Sequence, residues 1–240
     1  MTMEIEVLDD PARACAAMLV GAAAGGDDIV LTGGSTPRRA YEEFVAAVRA
    51  VDVDISASRF WFGDERCVGP EDERSNFRMA SEALFEPLRD RFTLEVHRMK
   101  GELGPDAGSE DYERQLEQAG TPEFDLLMLG IGSDGHTASL FPDQATVMER
   151  SGLVVPVPEA GLEPFVARIS FTFAAIARAK KVVVLAAGES KAAPIAAAFG
   201  PDTKPDPHVP SSYLRECAQD LVVLLDPAAA AALPGRAPSA

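Results

Sequence analysis

The run FDLLMLGIGSDGHTASLFP at residues 124–142 constrains the fold of this chain more than any other stretch. Residues 124–129 are apolar apart from Asp125, the pattern of a strand buried on both faces. Gly130, Gly132 and Gly135 follow, with Asp134 between them and His136 directly after. Glycine lets a backbone turn tightly or approach a ligand closely. A carboxylate and an imidazole are thus delivered to the carboxyl end of a central strand, where open α/β sheets bind ligands. The same glycines satisfy the dinucleotide pattern G-x-G-x-x-G literally, but that pattern alone is weak. Polar Asp134 and His136 fill the turn that a pyrophosphate would need. The bland alternative is a structural glycine turn in which hydrogen bonds merely satisfy His136.

Around this run the chain alternates strand and helix. Asp10 and Pro11 form a cap and first-turn pair for a helix over 12–24, ended by Gly25 and Gly26. The pattern predicts a strand over 29–32 and a helix over 37–51, then a short strand over 60–62 that delivers Gly63, Asp64, Glu65 and Arg66 into a loop. A helix over 75–89, a weaker strand over 92–96, a loop over 101–108 and a surface helix over 109–119 come next. After the central strand, strands are predicted over 154–157, 166–171, 181–187 and 221–225, with helices over 172–179 and 190–199. This alternation implies one α/β domain over 1–226, built as a modified doubly wound, Rossmann-like, mostly parallel sheet with helices on both faces. Residues 227–240 are mostly Ala and Pro, a tail expected to fray after about one helical turn.

Charge and cysteine content narrow the function classes. The formal charge of -16 argues against a nucleic-acid or anionic-membrane partner. Any anionic substrate would therefore need a locally basic pocket. Cys15, Cys67 and Cys217 form neither a C-x-x-C pair nor a disulfide framework, which points to a reducing, cytoplasmic compartment. The first residues lack a signal-peptide pattern, and no run is apolar enough to span a bilayer. With one well-placed histidine and no Cys/His cluster, no metal site is expected.

Four more loops after strands carry converging chemistry. In GGSTP, Gly33, Gly34, Ser35 and Thr36 precede a helix whose first turn begins at Pro37, where free amides, two glycines and two hydroxyls suit a phosphate; an ordinary Ser/Thr cap is the alternative. In GESK, Lys191 sits near a helix start without P-loop spacing. The GDERCVGPEDERSNF loop holds Asp64, Arg66, Arg74 and Asn76, more polar capacity than a turn requires, although a solvated charged loop would look the same. Arg168 lies in the otherwise apolar strand RISF, so its guanidinium needs an anionic partner, either a protein carboxylate or a ligand.

Together LTGGSTPRRAYEEF, FWFGDERCV with RSNF, the central run, RISFTF and GESKA resemble the 6-phosphogluconolactonase family, in order over about residues 28–215. That family shares a superfamily with glucosamine-6-phosphate deaminase. The resemblance implies hydrolysis of 6-phospho-D-glucono-1,5-lactone to 6-phosphogluconate, the second step of the oxidative pentose phosphate pathway, without metal or cofactor. It assigns His136 as general base, with Asp64 and Asp134 orienting base and substrate. It places Gly34, Ser35, Thr36, Lys191 and Arg168 on the phosphate, and Arg66, Arg74 and Asn76 in the substrate loop. The implied partner is a small sugar-phosphate lactone, the implied assembly a monomer or homodimer.

The residues are consistent with that chemistry. A δ-lactone is an activated ester, so one imidazole near neutrality suffices to take a proton from water and return it to the ring oxygen. No G-x-S-x-G elbow occurs and no cysteine lies in the strand-end loops, apart from Cys67 beside GDER, which disfavours a covalent route. The deaminase relative carries a glutamate five residues beyond its histidine; here that position is Phe141.

Overall fold

The computed structural model describes residues 2–234. Seven strands form one sheet in which every pairing is parallel. They are β1 (Thr2–Val7), β2 (Asp28–Leu31), β3 (Arg59–Phe62), β5 (Glu95–Val96), β6 (Leu126–Leu129), β9 (Lys181–Ala186) and β10 (Asp220–Leu225), in the order β1-β10-β9-β6-β2-β3-β5. The run that opens the central motif is β6, the middle strand, with all four residues buried. Its neighbours β2, β9 and β10 are equally Val-, Ile- and Leu-rich, as a sheet covered on both faces requires. The α/β expectation holds.

Adjacent residues of β3 show the two covered faces directly. Successive strand residues point to opposite sides. Phe60 meets Phe85, with ring centroids 5.5 Å apart, in a helical stretch that runs through α3 (Asn76–Ala80), a π-helical turn (Ser81–Phe85) and α4 (Glu86–Leu88). Trp61 meets Tyr112, centroids 6.2 Å apart, on α5 (Pro105–Gln118). The helices α1 (Pro11–Gly25) and α2 (Ser35–Val51) pack against each other beside β9. Shorter helices α6 (Phe173–Ile176), α7 (Ala192–Phe199) and α8 (Leu214–Cys217) complete the cover.

Several boundaries differ from the sequence reading for local reasons. Gly34 caps α2, so that helix starts at Ser35 and takes in Thr36 and Pro37. Pro105 starts α5 four residues early, because its fixed φ suits a first helical turn. The periodicity assigns no element before Asp10, yet Thr2–Val7 is β1, paired with β10 at the sheet edge. The strands expected over 154–157 and 166–171 are present as β7 (Val154–Val157) and β8 (Arg168–Phe171), but they form a second sheet with β4 (Asp64–Arg66), antiparallel in the order β4-β8-β7, which the sequence reading did not separate from the first.

No helix among the described residues is long and apolar enough to cross a membrane. The first residues of the Ala- and Pro-rich tail are packed. Ala229, Ala230 and Leu233 are buried in the core, and the Asp226 carboxylate accepts from the amides of Gly188 and Ala229. Residues 235–240 lie outside the described residues. Leu233→Ala is expected to cost about 2 kcal/mol and to lower the melting temperature by about 4–8 °C. An unchanged melting temperature would show that the tail adds nothing to the fold.

Candidate active site

The chain builds β2, β3 and β5 outward in one direction, then returns to lay β6, β9 and β10 on the other side of β2. Strand order therefore reverses between β2 and β6, and the loops leaving them diverge into a crevice. A cavity of about 210 Å³ lies there. Thr32, Gly33 and Gly34 line it from the end of β2, and Gly130, Gly132 and His136 from the end of β6. Asp64, Arg66, Asn76, Arg168 and Lys191 close it from other elements.

The loop after β6 is built around one contact. His136 Nδ1 lies 2.6 Å from Asp134 Oδ1, and the His136 amide donates to the same oxygen at 3.1 Å. A carboxylate can only accept, so Nδ1 carries the proton and Nε2 keeps its lone pair. Burial pushes the Asp134 carboxyl up, but the hydrogen bonds from His136 help to outweigh it, and the carboxyl lies below its ordinary value. Gly132 is where the pair sits: a Cβ there would lie 2.1 Å from His136 Nδ1 and 2.4 Å from Asp134 Oδ1. No helix follows this loop, and the chain stays irregular to residue 144. The glycines thus seat an Asp–His pair and do not form a dinucleotide turn.

The small antiparallel sheet supplies the cations. On β4, Asp64 and Arg66 point one way and Glu65 the other; on β8, Arg168 and Ser170 share the first face. The register sets Arg66 directly opposite Arg168 and Asp64 opposite Ser170. Like charges opposed across a strand pair repel, so this face favours an anion. Arg168 forms no ion pair among the described residues; the carbonyls of Leu162, Pro164 and Val166 accept from it instead. Burial lowers its pKa. The Nε of Arg66 is buried without an acceptor. On the far wall, burial lowers the pKa of Lys191, with Asp134 acting in opposition. Together these groups make the basic pocket that an acidic chain needs for an anionic ligand.

Asp64 and Asn76 meet across twelve residues of chain, Asn76 Nδ2 donating to the Asp64 carbonyl at 3.0 Å and to Oδ1 at 3.2 Å. A Cβ on Gly33 would fall 1.9 Å from Asn76 Oδ1, so that glycine lets the β2 turn close on the loop. The loop's anchor is Glu65, a buried carboxylate accepting from the amides of Arg66, Asn76 and Phe77 and from Ser75 Oγ. Burial pushes the Glu65 carboxyl up, against four hydrogen bonds that favour its charged form. Two buried tyrosines fix the strand ends: Tyr41 exchanges hydrogen bonds with Thr32, and Tyr112 bridges the Phe62 amide and the His97 carbonyl.

Not every expected residue enters the cavity. Ser35 and Thr36 line a separate depression with Asp10, Arg39 and Asp226, although their amides open α2 beside Gly34, where no side chain caps the helix. Arg74 is held by Asp72 through two side-chain hydrogen bonds of 2.8 and 2.7 Å, and borders an outer cleft with Arg66 and Phe165. Asp134 stands behind His136. Glu65, Ser139 and the two tyrosines escaped sequence reasoning because their partners lie far along the chain or on the backbone.

Residues 6–223 match the family model described as glucosamine-6-phosphate isomerases/6-phosphogluconolactonase. The chain belongs to this family. It is 38% identical over 170 residues to the 6-phosphogluconolactonase of Treponema pallidum, covering 68% of each chain. The 6-phosphogluconolactonase of Mycobacterium bovis is 34% identical over 253 residues, covering 98% of this chain and all of that one. The crystal structure of 6-phosphogluconolactonase from Leishmania guyanensis superposes with a TM-score of 0.78 at 31% identity, over 95% of this chain and 98% of that one. Within the family frame, the Gly132 contact gives a direct test. Gly132→Ala should displace the His136 ring and lower kcat by about a hundredfold or more, with the melting temperature nearly unchanged. A wild-type rate would mean that the pair's placement is unimportant.

Proposed function

We propose that this protein hydrolyses 6-phospho-D-glucono-1,5-lactone to 6-phosphogluconate, with His136 as general base. The observation that carries this reading is the Asp134–His136 pair, 2.6 Å apart, at a cavity whose other walls bear Arg66, Arg168 and Lys191. The family membership and the names of its relatives support the same substrate.

In this mechanism His136 Nε2 takes a proton from water, and the resulting hydroxide attacks the lactone carbonyl. The C1–O5 bond then breaks, and the imidazolium returns its proton to the ring oxygen. Asp134 keeps the imidazole in one tautomer and stabilises its charge. Arg66 lines the cavity, and its guanidinium offers a hydrogen bond to a developing oxyanion. Lys191, Arg168 and the backbone of Gly34, all at the cavity wall, hold the phosphate. No covalent step is required, and burial raises the pKa of all three thiols, Cys67 to about 11 and Cys15 and Cys217 to about 12. Such a reaction serves the second step of the oxidative pentose phosphate pathway and belongs in the cytoplasm. This reading calls for neither a cofactor nor a metal ion.

Phe141 argues for the lactonase over the deaminase. It is buried, with its ring 4.6 Å from that of His136, and brings no carboxylate to the imidazole. The purified protein should hydrolyse freshly generated lactone in a coupled assay, unaffected by chelator, and release no ammonia from glucosamine 6-phosphate. His136→Ala should lower the enzymatic rate by about 10²–10⁴-fold. Ammonia release comparable to lactone hydrolysis would overturn the assignment.

A second measurement addresses the phosphate. Lys191→Ala is expected to weaken 6-phosphogluconate binding by about one to two decades, with a smaller effect on the rate at saturating lactone. Unchanged product affinity would remove Lys191 from the phosphate site.

A further inference from the structure

Asp64 reaches the cavity from a strand only three residues long, and what fixes its side chain lies elsewhere. Ser139, wholly buried and 75 residues away in sequence, donates from Oγ to Asp64 Oδ2 at 2.7 Å. Its own amide donates to Ser170 Oγ at 3.0 Å, and Ser170 Oγ in turn donates to the Phe171 carbonyl. Asp64 and Ser170 are direct partners across β4 and β8. Ser139 therefore straddles that pair and ties the loop after β6 to both strands. The preceding residue, Ala138, holds a left-handed φ of 49°, a conformation that costs a residue bearing a Cβ about 1 kcal/mol or more and persists only where its surroundings impose it.

With Ser139 on Oδ2 and Asn76 on Oδ1, the Asp64 carboxylate is held in one orientation. A carboxylate has roughly four acceptor sites, so two remain for a ligand at the cavity wall. We propose that Ser139 is a positioning residue: its hydroxyl holds Asp64 so that a free carboxylate lone pair accepts from a substrate hydroxyl, and the sugar is oriented through a serine that never touches it. This rests on the sugar-phosphate lactone reading above. It assigns Asp64 a fixed orienting role and leaves proton transfer to His136. It also separates the hydroxyl end of the site, set by Ser139, from the phosphate end, set by Lys191.

The test is a double-mutant cycle on kcat/KM for the lactone. Ser139→Ala should lower kcat/KM about tenfold or more, since a hydrogen bond to a charged group is lost and a positioned group is released. In an Asp64→Asn background the same change should cost less than about twofold, because Ser139 acts only through that carboxylate. Inhibition by inorganic phosphate should be the same in wild type and Ser139→Ala, and weaker in Lys191→Ala. Additive effects of Ser139→Ala and Asp64→Asn would overturn the proposal, as would loss of phosphate inhibition in Ser139→Ala, which would mean general damage to the site. If Ser139→Ala does not fold, Ser139→Cys, which keeps the shape with a weak donor, replaces it in the cycle with the same two outcomes. Failure of the wild type to hydrolyse lactone would sink both readings; wild-type activity with additive mutants would sink only this one.

Discussion

The pairing of β2 with β6, Ile29 with Leu126 and Val30 with Leu127, is the contact on which the site depends. Both strands are fully buried, and burying each such side chain contributes about 1.5–3 kcal/mol. Because the chain winds away from this pair in both directions, the loops at its carboxyl end cannot cover each other. The crevice is thus a consequence of topology, and two glycine-containing turns border it, after Leu31 and after Leu129.

The parallel sheet brings glycine turns to the ligand, with His136 and Lys191 on the loops after β6 and β9. The second, antiparallel sheet adds side chains at fixed spacing. Its alternation sends Asp64, Arg66, Arg168 and Ser170 to one face, while Glu65 and Ile169 go to the other. Glu65 there gathers four donors and fixes the loop that brings Asn76 to Asp64. One strand of three residues thereby serves the cavity with two side chains and the scaffold with the third.

Electrostatics resolves the conflict between an acidic chain and an anionic ligand. Arg66 and Arg168 are opposed in register, and Lys191 is half-buried across the cavity. None of the three makes an ion pair among the described residues, whereas many surface arginines do, Arg74 with Asp72 among them. Arginines with nearby carboxylates are already neutralised. The unpaired ones retain an attraction that an incoming anion satisfies, strengthened by their removal from water.

The sequence alone determined what local patterns encode. The apolar run at 126–129 made a central strand legible, and the strand–helix alternation made an α/β sheet legible, because period and burial are written into neighbouring residues. It also placed His136, Asp134, Asp64, Arg168 and Lys191 at strand ends or in a strand, where their chemistry could be named. Only the tertiary structure decided that Ser35, Thr36 and Arg74 stand outside the cavity, that β4 and β8 pair, and that Ser139 holds Asp64. Those facts depend on contacts between segments far apart in the chain, more than a hundred residues for β4 and β8, and on where strand order reverses. No local periodicity carries that information, since the free energy of such contacts exists only once the sheet has assembled.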